Sequence, residues 1–392
     1  MTPERLPLLF AQAADEIGTA ERVLWELATR LPSSRYAIRA WLSPAPGVDE
    51  LASSLEERGV EVERLAFLRS KWDVRGQAAL WSAMRRARPA LIHLHAEGSD
   101  LPRALPALAR IAGSARLVAT LQGPCAYLPD TLAAPLRAAD AVIATCTAAA
   151  STLVRELGLA RAAARVVGNG ADLGDEIEEL PAARRLRQQL GAAPFRPLWV
   201  SAARLEPEKG HDVLLDALAR LRALPLDFVV AIAGEGSLRD HLEARARALD
   251  LGDRVTFLGQ VESLGPLLLA ADAFVLPSRS HTVPLALLQA MARGRPVVAC
   301  EAGGVVDLVE SGAHGVLVPA GDTAALAGAL EAFHHKPALA ARMGERGAER
   351  IRSAWTWERV VEAYEVVYDD VLGFAGFEPA NAAHQGVDPA SR

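Results

Sequence analysis

Leu198-Trp-Val-Ser201-Ala-Ala-Arg204-Leu-Glu-Pro-Glu-Lys209-Gly210-His211-Asp212 decides the fold. Leu198 to Ser201 is a short, mostly apolar run that does not alternate with charged residues. Such runs belong to strands covered on both faces, as in parallel sheets. A polar loop follows, and the segment His211 to Leu221 then reads as a helix. The loop carries two cations, Arg204 and Lys209, beside the N–H groups that open that helix. Two cations at a strand–helix junction read either as a site for a diphosphate or as two solvated surface charges. Lysine is scarce in this chain (Lys71, Lys209 and Lys336), so Lys209 stands out in an arginine-rich sequence.

The same alternation runs outward in both directions. Upstream, Leu6 to Ala11, Ile38 to Leu42, Leu91 to His95, Arg116 to Leu121, Ala141 to Ala144 and Arg165 to Val167 read as strands. Downstream, Phe228 to Ala233, Val255 to Leu258, Ala273 to Leu276, Pro296 to Ala299 and Val316 to Val318 continue the series. Repeated strand–helix units imply doubly wound parallel sheets. The rhythm pauses between Ala171 and Pro197, which is first acidic, then basic, and holds three prolines. This stretch reads as a linker with one short surface helix. Two α/β domains of comparable size result, facing across a cleft lined by the carboxyl ends of their strands, where open sheets bind ligands.

Composition narrows the function classes. A chain of 392 residues gives two or three domains at roughly 150 residues each. A hydrophobic fraction of 51% excludes a disordered chain. The most apolar stretch, Leu264 to Pro277, is broken by Pro266 and Asp272 and is too short to span a bilayer. Met1 to Phe10 carries Glu4, Arg5 and two prolines and does not read as a signal peptide. Cys125, Cys146 and Cys300 are scattered, which argues against a disulfide framework or a structural zinc site and fits a reducing cytoplasm. A net charge of -6 argues against a broad nucleic-acid-binding surface.

The other polar loops also follow strands. Gly18-Thr19 joins the first strand to the first helix and offers close backbone approach and a cap. Asn169-Gly170 marks a tight turn at the end of the first domain. Gly234-Glu235-Gly236 lacks the third glycine of a dinucleotide fingerprint and reads as a glycine turn passing close to a ligand. After Leu276, the loop with Ser278, His281, Thr282, Val283 and Pro284 opens a helix at Leu285. Its backbone amides and Gln289, one turn in, are candidates to face a ligand. The neighbouring His334 and His335 diverge on a helix and make no metal site.

Taken in order, these segments resemble a GT-B fold retaining glycosyltransferase of family four over almost the full length. The resemblance rests on Gly18-Thr-Ala-Glu-Arg-Val-Leu, Leu91-Ile-His-Leu-His, Gly168-Asn-Gly and Ala203-Arg-Leu-Glu-Pro-Glu-Lys-Gly-His. It continues through Ile232-Ala-Gly-Glu-Gly, Val255-Thr-Phe-Leu-Gly, Leu276-Pro-Ser, Pro284-Leu-Ala-Leu-Leu-Gln-Ala-Met-Ala, Pro296-Val-Val-Ala and Gly303-Gly-Val. The resemblance implies an N-terminal acceptor-side domain at 1–172 and a donor-binding domain at 197–355, joined by a linker at 173–196. It also implies a helix at about 356–373 packing back on the first domain; a disordered tail is expected at 378–392.

What the resemblance implies chemically is transfer of a sugar from a nucleoside diphosphate sugar to an acceptor hydroxyl, with retention and without a metal or other cofactor. Arg204 and Lys209 match the catalytic pair that stabilises the departing diphosphate. Gly18, Thr19, Gln122, Asn169, Gly234, Glu235, Ser278, His281, Thr282, Val283, Leu285 and Gln289 fall at donor-binding positions. UDP-sugars lead among the donors. Three positions depart from the family pattern: its paired glutamates fall on His281 and Gln289, and its first-domain histidine on Gln122. Two accounts stay open, an active transferase and a catalytically weak subunit that binds a nucleotide sugar or a partner. The acceptor is a polysaccharide, a glycolipid or a secondary metabolite. Arg69, Lys71, Arg75, Arg85, Arg86 and Arg88 cluster around Trp72 and Trp81, which leaves open a peripheral contact with the inner face of a membrane.

Overall fold

The computed structural model describes residues 5–66, 74–97, 105, 108, 115–123, 130–279 and 283–374. The chain divides into two compact units, Met1–Asn169 with Trp357–Arg392, and Gly170–Thr356.

The first unit holds β1 (Leu6–Ala11), β2 (Tyr36–Leu42), β3 (Glu61–Arg64), β4 (Leu91–Ala96), β5 (Arg116–Leu121), β6 (Ala141–Ala144) and β7 (Ala164–Val166). They pair in parallel in the order β3-β2-β1-β4-β5-β6-β7. Its helices include α1 (Thr19–Arg30), α2 (Asp49–Glu57), α3 (Val74–Ala87), α4 (Asp130–Ala138) and α5 (Thr147–Leu157). The winding direction reverses between β1 and β4, so a crevice opens there at the carboxyl ends of the strands.

The second unit repeats the plan. Its strands are β8 (Leu198–Ala202), β9 (Val229–Ala233), β10 (Val255–Gly259), β11 (Ala273–Leu276), β12 (Val297–Cys300) and β13 (Gly315–Val318). The order is β10-β9-β8-β11-β12-β13, again parallel, with the reversal between β8 and β11. Its helices include α6 (Glu176–Gln189), α7 (His211–Arg222), α8 (Arg239–Ala248), α9 (Gly265–Ala270) and α10 (Leu285–Ala292). Further along come α11 (Val305–Leu308), α12 (Thr323–His335) and α13 (Pro337–Ala354), and the last helix, α14 (Trp357–Leu372), belongs to the first unit.

Side-chain spacing explains why these helices dock. In α1, Ala20, Val23, Leu24, Leu27 and Ala28 are buried, the i, i+3, i+4, i+7, i+8 pattern of one apolar face. Glu21 reaches back to the Gly18 N–H at 2.6 Å and supplies half of a capping box. In α14, Trp357, Val360, Val361, Tyr364, Val367 and Tyr368 line one face and join the core built on β1, β2, β5 and α1. Two buried hydrogen bonds cross that core. His93 Nδ1 meets the Tyr368 hydroxyl at 2.7 Å, and His93 Nε2 meets the Thr120 hydroxyl at 2.7 Å. The helix is thus joined to β4 and β5 by satisfied buried hydrogen bonds.

Two features differ from the sequence reading. Residues 173–196, expected as a linker with a short surface helix, lie within the second unit. Their helix α6 packs against α9, buries Ala183, and is tied down by Arg187 to Asp272 at 2.8 Å. Its mean polarity hid this docking, because ion pairs rather than an apolar stripe fasten it. The edge strand β3 was not expected, since Glu61-Val-Glu-Arg64 has no apolar run. The tail 378–392 lies outside the described residues.

Candidate active site

In the second unit, Arg204 and Lys209 lie on one loop after β8, beside the reversal point. Leu205, fully buried, anchors the loop. Its N–H donates to the Glu235 carbonyl at 2.8 Å, and its carbonyl accepts from the Leu238 N–H at 2.9 Å. Arg204 projects from this anchored backbone with its side chain 65% exposed, and its 3.5 Å contact with Glu208 is too solvated to hold it in place. Lys209 closes a single 3₁₀ turn, Pro207–Lys209. Gly210 follows at φ +70°, and a Cβ there would lie 2.1 Å from the Pro277 carbonyl oxygen, so only glycine fits.

That contact brings the loop after β11 against the cation loop. The Ser278 hydroxyl donates to the Glu208 carbonyl at 3.3 Å, and the Arg279 N–H donates to the same oxygen at 2.8 Å. Arg279 also holds Asp212 at 3.1 Å. Burial pushes the Asp212 carboxyl up, but the Arg279 hydrogen bond and charge outweigh it and hold the carboxyl below its ordinary value. Glu206 accepts from both the N–H and the hydroxyl of Ser237, at 2.9 and 2.6 Å, and these bonds hold it low too. His211 is buried with both ring nitrogens unpartnered among the described residues, and burial pushes it down to about 4, so its ring is neutral.

The glycine turn packs against the cation loop. A Cβ at Gly234 would lie 2.0 Å from the Ala203 carbonyl oxygen, and one at Gly236 would lie 2.6 Å from that of Leu205. The close approach these glycines permit is to the backbone on either side of Arg204. Glu235 between them is paired with Arg239 at 2.9 Å. Val283 is buried, while Leu285 and Gln289 on α10 are half-buried. His281 and Thr282 lie outside the described residues.

In the first unit, the site residues gather beyond β1, β4, β5 and β7. The Thr19 N–H donates to Glu97 Oε2 at 3.0 Å, and a Cβ on Gly18 would lie 2.4 Å from that oxygen. The glycine therefore makes room for a carboxylate of the protein itself. Glu21, buried, also accepts from the Gln12 amide. Gln122 and Asn169, 3% and 2% exposed, are joined by a bond from Asn169 Nδ2 to Gln122 Oε1 at 3.0 Å. Glu97 was not anticipated, because nothing in Glu97-Gly98 marks it without knowing that β4 ends beside α1.

Of the basic and aromatic cluster, Arg69, Lys71 and Trp72 lie outside the described residues. Trp81 is half-buried, and Arg86 pairs with Glu63 at 2.8 Å. Among the described residues no helix is long and apolar enough to cross a membrane, and no group of three or more His, Cys, Asp or Glu could hold a metal ion.

Residues 183–350 match the family model for glycosyl transferases group 1, and residues 20–175 match that for glycosyltransferase family 4. The chain is 35% identical over 237 residues to a glycogen synthase of Mycobacterium tuberculosis, covering 59% of this chain and 55% of that protein. It is 32% identical over 283 residues to a D-inositol 3-phosphate glycosyltransferase of Streptomyces avermitilis, covering 69% of this chain and 60% of the relative. The matched regions thus span little more than half the length of these curated relatives. Among solved structures, Anabaena HepE in complex with UDP-glucose matches with a TM-score of 0.78 at 22% identity, over 93% of this chain and 99% of that one. Sucrose-phosphate synthase from Thermosynechococcus elongatus matches with a TM-score of 0.76 at 22% identity, over 94% and 100%. At such identities the likeness is one of fold.

Proposed function

The chain belongs to the group 1, family 4 glycosyltransferases with the GT-B fold, and on that footing we propose that it transfers a sugar from a nucleoside diphosphate sugar to an acceptor hydroxyl with retention. The observation that carries this reading is the ordered cation loop. Arg204 and Lys209 are presented after β8 at the reversal of the sheet, on a backbone held by Leu205, Gly210 and the loop after β11. In the proposed step the bond from the anomeric carbon to the phosphate oxygen breaks, and its electron pair goes to that oxygen. The acceptor oxygen bonds to the same face of the sugar, and its proton passes to the departing phosphate. Negative charge grows on the diphosphate, where the Arg204 fork and the Lys209 ammonium would stabilise it. Neutralisation by these two side chains needs no metal or other cofactor.

Gly18, Thr19, Gln122, Asn169, Gly234, Glu235, Ser278, His281, Thr282, Val283, Leu285 and Gln289 are assigned to the donor in this reading. A UDP-sugar is the first donor to test, supported by the UDP-glucose bound to HepE. The acceptor class is a polysaccharide, a glycolipid or a secondary metabolite. A glycolipid would bring the exposed basic side of α3 to the inner face of a membrane.

The test is a thermal-shift and hydrolysis screen with UDP-, GDP-, ADP- and TDP-sugars on the wild type and on the Arg204→Ala, Lys209→Ala double variant. Stabilisation by one nucleotide, slow release of its diphosphate, and loss of both in the variant are expected. Stabilisation with no turnover, even with acceptors supplied, would favour a binding subunit, a reading that the uncharged Gln122 and Gln289 also fit. No stabilisation by any nucleotide would overturn the donor-site assignment.

A further inference from the structure

The first turn of α1 is occupied by carboxylates of the chain itself. The N–H groups that open a helix have no acceptor within it and favour an anion. The Gly18 N–H donates to Glu21 Oε2 at 2.6 Å, a bond local to the helix. The Thr19 N–H donates to Glu97 Oε2 at 3.0 Å, and that residue lies 78 positions further along the chain. Glu97 is the first residue past β4, and β4 pairs with β1, the strand that leads into α1. The carboxylate therefore stands at the crevice where the winding of the sheet reverses.

The two carboxylates are held differently. Glu21 is buried and also takes the Gln12 amide, so two separate segments fix it. Glu97 is half-buried. Among the described residues, the Thr19 N–H is the one hydrogen-bond partner of its carboxylate, and no arginine or lysine pairs with it. Its backbone, in contrast, is fixed. The Gln122 N–H donates to the neighbouring Ala96 carbonyl at 2.8 Å, and a Cβ on Gly123 would collide with the Glu97 carbonyl oxygen. The side chain can turn about its own bonds while the strand beneath it stays in place. A Cβ on Gly18 would collide with Glu97 Oε2 and lie 3.1 Å from Glu21 Oε2, so both carboxylates converge on one point. Like charges there repel each other, and they repel any further anion.

We propose that Glu97 is a displaceable internal anion: it caps α1 while no donor is bound, and the donor diphosphate turns it out and takes over the Thr19 N–H. This rests on the nucleotide-sugar reading above, in which Thr19 meets the donor. A diphosphate carries more charge than one carboxylate and gains more from the same helix N-terminus. Glu97 therefore yields to it, but weakens its binding by competing for the N–H. By linkage, the weakening equals the stability that the cap gives the free chain.

Isothermal titration of the wild type, Glu97→Gln and Glu97→Ala with UDP, GDP, ADP and TDP tests the exchange. Glu97→Gln keeps an oxygen for the Thr19 N–H and removes the charge. Both variants should bind the preferred diphosphate about two- to tenfold more tightly than the wild type. Melting curves without ligand and at saturating diphosphate supply a second readout. Without ligand, Glu97→Ala should melt below the wild type. At saturation the gap should close, because Glu97 no longer caps α1 in either protein. A cap that merely serves the fold would keep the gap. No gain in affinity in either variant, no gap without ligand, or a gap that persists at saturation overturns the exchange and leaves the nucleotide site standing. Binding of no nucleotide by the wild type or either variant overturns the exchange and the parent reading together. Should Glu97→Ala fail to fold, Glu97→Gln carries both measurements.

Discussion

Arg293, at the end of the helix that carries Gln289, holds the carboxylate of Glu179 on α6 through two hydrogen bonds, one of them from Nε to Oε2 at 2.7 Å. The side chains are 4% and 15% exposed. Arg293 Nη1 also reaches the carbonyls of Asp172 and Gln289, each at 3.4 Å. One guanidinium thus fastens both the chain entering the second unit and α6 to the helix proposed to meet the donor. Gly265 makes room, since a Cβ there would lie 2.0 Å from Glu179 Oε1.

Removing one partner of a buried ion pair leaves the other charged and unpaired, at a cost of about 3–5 kcal/mol. Arg293→Met should therefore lower the urea midpoint severely. The double variant Arg293→Met, Glu179→Leu should recover most of the loss, because two apolar side chains leave no orphaned charge. A single variant within about 1 kcal/mol of the wild type would show that the pair is solvated in solution.

The cation loop should separate function from stability. Arg204→Ala and Lys209→Ala should each lower kcat by about 10²–10³, the usual effect of removing one group that stabilises transition-state charge. The melting temperature of Arg204→Ala should stay within about 2 °C of wild type, because the Arg204 side chain is mostly exposed. A large drop in melting temperature would show that the loop serves the fold instead.

Glu97 should oppose ligand and fold. Its carboxylate caps the start of α1 through the Thr19 N–H, which stabilises the helix by about 0.5–1 kcal/mol. The same N–H is assigned to the donor. Glu97→Ala should therefore lower stability by about that amount while tightening nucleoside diphosphate binding roughly two- to tenfold, as a helix N-terminus freed of its carboxylate favours an anion. Weaker diphosphate binding in the variant would place Glu97 among the groups that support the donor.

Acid should destabilise the protein well above the carboxylate range. Burial pushes His95 down to about 3 and His211 to about 4, and burial also lowers His93, with the adjoining His95 adding to the effect. The unfolded chain takes up these protons near pH 6.5, so below that value it binds more protons than the folded state. Stability contributed by the neutral rings is complete above about pH 6.5 and is lost as pH falls from there toward the folded values. Each ring contributes a slope of up to about 1.4 kcal/mol per pH unit in that window. Denaturation midpoints taken between pH 7.5 and 5 should fall steadily, and His95→Leu should remove about one proton from the slope. A flat profile above pH 5 would mean that these rings are solvated.

Much of the plan was legible because it is written in local pattern. Non-alternating apolar runs marked β1, β4, β5 and β8 through β12, and the polar loops after them held the residues of the candidate site. β3 escaped, since Glu61-Val-Glu-Arg64 becomes a strand only by pairing with β2 at the sheet edge. The role of α6 escaped as well: its docking depends on Arg293, more than a hundred residues away, and a charged helix looks the same whether it is solvated or clamped.

By itself the amino-acid sequence determined the alternating strand–helix architecture and the place of two cations in the loop after β8, because hydrophobic period, turn residues and residue type act within a few positions of one another. Only the tertiary structure decided which polar groups are already committed. It showed that Gly18 makes room for Glu97, that Gly234 and Gly236 admit the backbone around Arg204, and that Asn169 is hydrogen-bonded to Gln122. Those relationships join separate loops at the edges of the two sheets. A hydrogen bond depends on distance and direction, which exist only after the strands have set the loops side by side.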